Sequence, residues 1–203
     1  MVVLGLTGKS GSGKSVVADI LKARGAYVID CDSLYNDMVI APSDCTRSIA
    51  SAFGNDVLNS DGSLNRKALG SLVFGVENKE KLDLLNSTVH PFVFDEIKKI
   101  ISEISLRDFS YCVIDAPQLF EAGVDRICDF TVVVTAEEEQ RISRIMSRDQ
   151  IDLDAAQKRI ASQLDDAFFT QKADFIIDNS GAYEDLLKAV DTFIEKLEKG
   201  VAK

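Results

Sequence analysis

Near its start the chain runs Val2-Val3-Leu4-Gly5-Leu6-Thr7, then Gly8-Lys9-Ser10-Gly11-Ser12-Gly13-Lys14-Ser15, then a helical stripe of Val16, Val17, Ile20 and Leu21 that stops at Gly25. A buried strand, a glycine-rich turn and an amphipathic helix in that order leave few folds open. The eight central residues fit G-x-x-x-x-G-K-[ST]. Glycines at 8, 11 and 13 let the backbone wrap closely so that successive N–H groups point inward, and the following helix adds its positive N-terminal end. Such a cradle suits the phosphates of a nucleotide. Lys14 is placed to bridge the β- and γ-phosphates and the Ser15 hydroxyl to ligate magnesium. Lys9, inside the loop as well, is either a second phosphate contact or a solvated side chain. Kinases, GTPases, regulatory ATPases and nucleotide sensors all use loops of this kind, so the loop alone does not choose among them.

Four further segments read as strands: Ala26 to Asp30, Tyr111 to Asp115, Asp129 to Thr135, and Asp174 to Asp178. Short, nearly continuous apolar runs separated by helices imply a parallel sheet with helices on both faces, an α/β fold. Leu186, Leu187, Val190, Phe193, Ile194 and Leu197 repeat at helical spacing and read as core packing. Ser33 to Ser110 is too long for a plain crossover and predicts a helical lobe, folded around a turn at Ser60-Asp61-Gly62, that can hold a substrate. The stretch from Arg141 to Lys172 is rich in Arg, Gln and Asp and predicts a partly detached helical hairpin able to act as a lid. The expected organisation is one domain: core 1–32, 110–140 and 173–203, substrate lobe 33–109, lid 141–172.

Bulk properties exclude several classes. With 203 residues, 46% of them apolar, one soluble domain with a real core is expected. A net charge of -10 leaves no basic face for nucleic acid or an anionic membrane, so an anionic ligand needs a local positive pocket. Cys31, Cys45, Cys112 and Cys128 have no CxxC spacing and read as reduced thiols. No basic leader precedes the first strand and no apolar run is long enough for a bilayer, so a cytoplasmic protein is expected.

Asp30-Cys31-Asp32 closes the second predicted strand, where ligands collect in open α/β sheets. One carboxylate can accept a hydroxyl proton while the other caps the next helix, or both can be caps. Arg144 and Arg148, four apart on one helix face, are either phosphate clamps or solvated ion pairs. His90, the only histidine, sits beside Pro91, which predicts a break in a helical stretch; its side chain is either a satisfied turn or core group or a substrate contact.

Several blocks, in one order and covering essentially the whole chain, resemble the dephospho-coenzyme A kinase family. They are Gly5-Leu6-Thr7-Gly8 with its loop, Val28-Ile29-Asp30-Cys31-Asp32, Asp61-Gly62-Ser63-Leu64-Asn65-Arg66 through Phe74, and Val89-His90-Pro91. Asp115-Ala116-Pro117-Gln118-Leu119-Phe120-Glu121, Arg144 through Asp149, and Ala173 through Gly181 complete the set. The resemblance implies a P-loop kinase fold with a five-stranded parallel sheet, and transfer of the ATP γ-phosphoryl group to the ribose 3′-hydroxyl of dephospho-coenzyme A, the last step of coenzyme A synthesis. It implies Asp32 as the base or hydroxyl-orienting carboxylate, with Lys14 and Arg148 as its catalytic companions and Arg144 and Arg148 on the lid. ATP is expected at Gly11, Ser12, Gly13, Lys14, Ser15, Val16 and Asn179, the last near the adenine. The acceptor is expected at Thr7, Asp32, Arg66, His90, Pro117 and Leu119, and magnesium at Ser15 and, through water, at Asp115. The chain departs from the family's usual residues at Lys9, Ser10, Val16, Asn36, Gln118 and Phe168-Phe169. The alternatives are another small-acceptor P-loop kinase, of nucleoside monophosphate or shikimate type, or a non-catalytic nucleotide-binding regulator.

Overall fold

Strands β1 (Val2–Thr7), β2 (Tyr27–Asp30), β3 (Tyr111–Asp115), β4 (Phe130–Thr135) and β5 (Phe175–Asp178) form one sheet in the order β2-β3-β1-β4-β5. The computed structural model describes residues 1–200, except for the side chain of Val76. The registers of β1 with β3, β1 with β4 and β4 with β5 are parallel, setting Leu4 against Val113, Leu6 against Val132 and Val133 against Ile176. As the central strand, β1 is buried on both faces from Val3 to Thr7, which is why its sequence is apolar throughout rather than alternating. Chain order reverses about β1: β2 and β3 lie to one side, β4 and β5 to the other. The carboxyl end of β1 is therefore the switch point where a ligand crevice opens.

The chain divides into two compact units, Met1–Ile29 with everything from Asp108 onward, and Asp30–Arg107. In the first, helices α1 (Lys14–Ala23) and α9 (Tyr183–Glu198) cover one sheet face: Val17, Ile20 and Leu21 of the former and Leu186, Val190 and Phe193 of the latter join Leu4, Leu6, Val113 and Val132. The last turn of α1 is closed by Gly25 at φ +91°, with the Ala26 N–H returned to the Leu21 carbonyl. Between β4 and β5 stand three helices, α6 (Glu138–Asp149), α7 (Leu153–Ala161) and α8 (Asp166–Lys172). The sequence predicts a partly detached hairpin there. Ile145, Ala156 and Ile160 make a small core of their own within the segment, and Phe168 and Phe169 pack on Phe120 outside it.

The second unit holds α2 (Cys31–Val39), α3 (Asp44–Phe53), α4 (Arg66–Val73) and α5 (Lys79–Ile104). Val39, Ile49, Val57, Leu69, Val73 and Val89 are among its core residues. The predicted turn is present: Leu58 and Leu64 pair antiparallel around it, and the Asp61 carboxylate accepts the Ser63 N–H and hydroxyl at 2.9 and 2.5 Å, bonds that draw its pKa down. The predicted break at His90-Pro91 is absent, and α5 runs unbroken through Pro91. A mid-helix proline costs roughly 3 kcal/mol. Val89 is buried and Leu85, Phe92 and Val93 pack on the same core, each worth about 1.5–3 kcal/mol at full burial, so packing outweighs the lost bond.

Candidate active site

The loop leaving β1 is shaped by three glycines that no other residue can replace without moving its surroundings. A Cβ at Gly8 would stand 2.6 Å from the Val134 carbonyl oxygen and 2.7 Å from Ser12 Oγ. At Gly11, with φ +80°, it would stand 2.6 Å from the Arg141 carbonyl oxygen, and at Gly13, with φ +89°, 2.1 Å from Asn179 Nδ2. Gly13 opens α1 with no side-chain cap, so of the first-turn N–H groups those of Lys14 and Ser15 are left for an anion, while that of Val16 returns to the Gly13 carbonyl. Ser12 is buried, and Ser15 and Val16 are exposed on the first turn.

Side chains from the far side of the sheet grip this loop from outside. Asn179, buried just past β5, donates from Nδ2 to the Ser12 carbonyl at 2.8 Å. Arg144, on α6, donates to the carbonyls of Gly11 at 3.2 Å, Ser12 at 3.4 Å and Asn179 at 2.9 Å. The sequence offered Asn179 as an adenine neighbour and Arg144 as a clamp above the phosphates; here both hold the loop's own backbone. Lys9 is not a solvated side chain: it is 10% exposed and pairs with Asp166 at 3.3 Å.

Lys14 forms an ion pair with Asp115, which is buried at the carboxyl end of β3. With the Ser15 hydroxyl, Asp115 supplies a sparse set of hard oxygen donors. Among the described residues no cluster of three or more His, Cys, Asp or Glu side chains suits a metal. One hydroxyl and one carboxylate fit a cation that keeps most of its waters and takes further ligands from phosphates, as magnesium does, and do not fit a cation needing an all-protein cage. Thr7 Oγ1 donates to the Pro117 carbonyl at 3.2 Å, tying the end of β1 to the turn after β3. Leu119, expected among the acceptor contacts, is 0% exposed and sits over Gly5, where an added Cβ would lie 2.8 Å from its Cδ2. Its side chain is core. The glycine in mid-strand, which leaves room for it, was the available signal.

Arg148 is also placed differently from its neighbour one turn back. Its side chain is 60% exposed and forks onto Asp149 at 2.8 and 2.9 Å. Arg159 pairs with the same carboxylate. The Arg148 hydrogen bond is the leading cause that holds the Asp149 carboxyl down at about 2, with both arginine charges adding to it.

In the second unit β2 ends at Asp30, and α2 begins at the next residue. Asp30 caps α2: its carboxylate accepts the N–H groups of Asp32 and Ser33 at 2.9 and 3.1 Å. Asp32 is thus not on an extended strand, as the sequence predicts, but on the first helical turn, exposed. That separates the two carboxylates by role, since the cap is already supplied. Arg66 opens α4 beside Lys67, with no acidic residue in that turn. Its charge reaches Tyr35, whose phenol is pushed up mainly by burial and eased slightly by Arg66. Two cations at a helix N-terminus oppose the macrodipole by about 0.3–1 kcal/mol each, an arrangement that an anion would relieve. His90 is half-buried on α5.

Sequence reasoning missed Arg141, Gln163 and Asp166. Arg141 is 2% exposed and one helical turn before buried Ile145, so its position on the apolar stripe of α6 was the clue. Gln163 Oε1 accepts the Ser10 N–H at 3.1 Å, and nothing in the local sequence marks it. Cys45 and Cys112 are buried and inert, with burial pushing the Cys112 thiol up to about 11.

A family model described as dephospho-CoA kinase matches residues 2–185. The chain is 38% identical to a dephospho-CoA kinase of Corynebacterium efficiens over 97% of its own length and 98% of that protein's. Among solved structures it is similar to a dephospho-CoA kinase from Campylobacter jejuni, at 28% identity and TM-score 0.71 over 98% of both chains. A shikimate kinase from Acinetobacter baumannii shares the fold alone, at 12% identity and TM-score 0.58 over 100% of this chain and 96% of that one. The glycine loop after β1, the five-stranded parallel sheet and the near-complete match to the family together place this chain in the dephospho-CoA kinase family.

Proposed function

We propose that this chain transfers the γ-phosphoryl group of ATP, taken as its magnesium complex, to the ribose 3′-hydroxyl of dephospho-coenzyme A. The observation that carries the reading is the Lys14–Asp115 pair at the carboxyl end of the sheet, on a cradle whose glycines admit no side chain. The loop N–H groups and Lys14 bind the phosphates, and Lys14 neutralises charge on the transferred group. Ser15 and, through water, Asp115 would hold magnesium, which would supply further charge neutralisation at the phosphates. Asp32 orients the attacking hydroxyl and takes its proton. Phosphoryl transfer has a loose transition state, so alignment matters more than base strength.

Asn179, Arg144, Ser12 and Val16 complete the nucleotide site, and Arg148 turns from Asp149 to the phosphates when the 141–172 segment acts as a lid. The helical unit built on α2 to α5 serves the acceptor, with Arg66, assisted by Lys67, meeting its anionic groups and His90 nearby. Thr7 and Pro117 are acceptor contacts as well. A net charge of -10 argues against nucleic acid as a partner. No helix among the described residues is long and apolar enough to cross a membrane, and we place the protein in the cytoplasm.

A coupled assay of ADP release with dephospho-coenzyme A, AMP and shikimate as acceptors tests the reading. Turnover is expected with the first alone, and Lys14→Ala should abolish it. Comparable rates with AMP or shikimate, or wild-type activity in Lys14→Ala, would overturn it.

A further inference from the structure

Lys9 and Ser10 are the two non-glycine residues at the front of the loop. Both are engaged by the corner between α7 and α8. Gln163 takes the Ser10 N–H, and Asp166, the first residue of α8, pairs with Lys9 at 3.3 Å. The same Asp166 Oδ1 stands 3.3 Å from Arg141 Nη1. Lys9 and Arg141 are 10% and 3% exposed at the side chain, so two nearly buried cations share one carboxylate. Arg141 Nε and Nη2 and Ser12 Oγ, also buried, have no hydrogen-bond partner. Lys9, Ser12, Arg141, Asp166 and Phe169 line one pocket against β4. Gly11, meanwhile, rests on the Arg141 backbone.

The side chain of Asp166 is 63% exposed and is not needed to cap α8, because Asp165 does so by accepting the Phe168 N–H at 2.7 Å. The helix itself is anchored by buried Phe169. One carboxylate thus faces two cations that would otherwise be buried uncompensated, a state that drives side chains outward. Without that carboxylate Lys9 has reason to leave its seat, and the loop backbone it carries moves with it.

From this geometry we infer that Asp166 is a positioning residue for phosphoryl transfer: acting through Lys9 and Arg141, it holds the front of the phosphate loop in its binding shape before nucleotide arrives. Lys9 on this reading is a strut under the loop and not a phosphate contact. Pre-forming the loop removes an ordering cost from ATP binding and leaves the acceptor's affinity untouched. The inference rests on the reading of the loop as the ATP site.

The two roles open to Lys9 predict opposite signs. If Lys9 is a strut, Asp166→Asn weakens ATP binding; if Asp166 only withholds Lys9 from the phosphates, Asp166→Asn leaves binding unchanged or tightens it. The test is a cycle of Lys9→Met, Asp166→Asn and the double variant, with Asp166→Glu as the conservative control. It reads ATP Kd, KM for each substrate, thermal stability, and hydrogen exchange at residues 9–13 without nucleotide. We expect Asp166→Asn to raise ATP Kd and KM about tenfold and the acceptor's KM less than twofold, the double variant to be no worse than Lys9→Met, and Asp166→Glu to recover most of the loss. Exchange at residues 9–13 should quicken in both single variants. Unchanged or tighter ATP binding, additive losses, or equal rises in both KM values overturn the inference. Should wild-type protein bind no ATP, the functional reading fails instead, and the nucleotide-free exchange cycle still decides whether Asp166 orders the loop.

Discussion

Gly11 and Gly25 make a matched pair, since both hold left-handed backbone, at φ +80° and +91°, in quite different surroundings. An alanine at Gly25 meets nothing within 4 Å. Gly25→Ala should therefore cost only the left-handed strain, about 1–2 kcal/mol. At a slope of about 2–4 °C per kcal/mol for a chain of this size, that is a fall of roughly 2–8 °C in Tm. The Cβ of Gly11→Ala would lie 2.6 Å from the Arg141 carbonyl oxygen and 2.9 Å from its Cα, backbone atoms that cannot rotate aside. Either α6 or the loop must shift, adding about 1–3 kcal/mol on top of the same strain. Because Arg144 on α6 also holds the Gly11 and Ser12 carbonyls, the shift should reach the cradle and weaken ATP binding, which Gly25→Ala should leave alone. Thermal melts and titration calorimetry with ATP on both variants check this. Equal Tm losses and equal ATP affinities in the two would refute the close packing of α6 on the loop.

Asp32→Asn should leave ATP affinity and Tm near wild type, because Asp30 rather than Asp32 caps α2, and should lower kcat by roughly 10²-fold or more; turnover within a few-fold of wild type would remove Asp32 from the chemistry. The Asp149 carboxyl, held at about 2 by Arg148 and Arg159, should titrate there by NMR and not near the ordinary value of about 3.9. Since the folded value is depressed, its contribution to stability is complete above the ordinary value and is lost as pH falls from there through about 2. The Tm gap between wild type and Asp149→Asn should accordingly narrow over that window, and a constant gap would contradict the pairing.

Much of this site was legible because its signals are local. The spacing of Gly8, Gly11, Gly13 and Lys14, the apolar run of β1 and the stripe of α1 lie within two dozen consecutive residues, so periodicity and loop chemistry locate the cradle without knowledge of the fold. Asp115 was readable as a carboxylate at the end of a buried strand, and it pairs with Lys14. Asp30 and Asp32 were readable only as a pair. Their division, one cap and one exposed carboxylate, depended on α2 starting at Cys31, a boundary shift of a single residue.

The loop contacts that escaped the sequence share one property, distance along the chain. Ser10 meets Gln163 across 153 positions, and Asn179 meets Ser12 across 167. No short-range pattern encodes such pairs. A local rule predicts a break at Pro91 where burial around Val89 decides, and a motif match carries no measure of burial at Leu119, whose side chain is 0% exposed. Sequence alone determined the sheet, the cradle and the family, all consequences of neighbouring residues sharing one environment. Only the tertiary structure decided which of the charged side chains touch the loop, because that depends on where β4, β5 and the helices between them return the chain against β1, and two arginines of one helix, Arg141 and Arg148, end the one buried and the other in water.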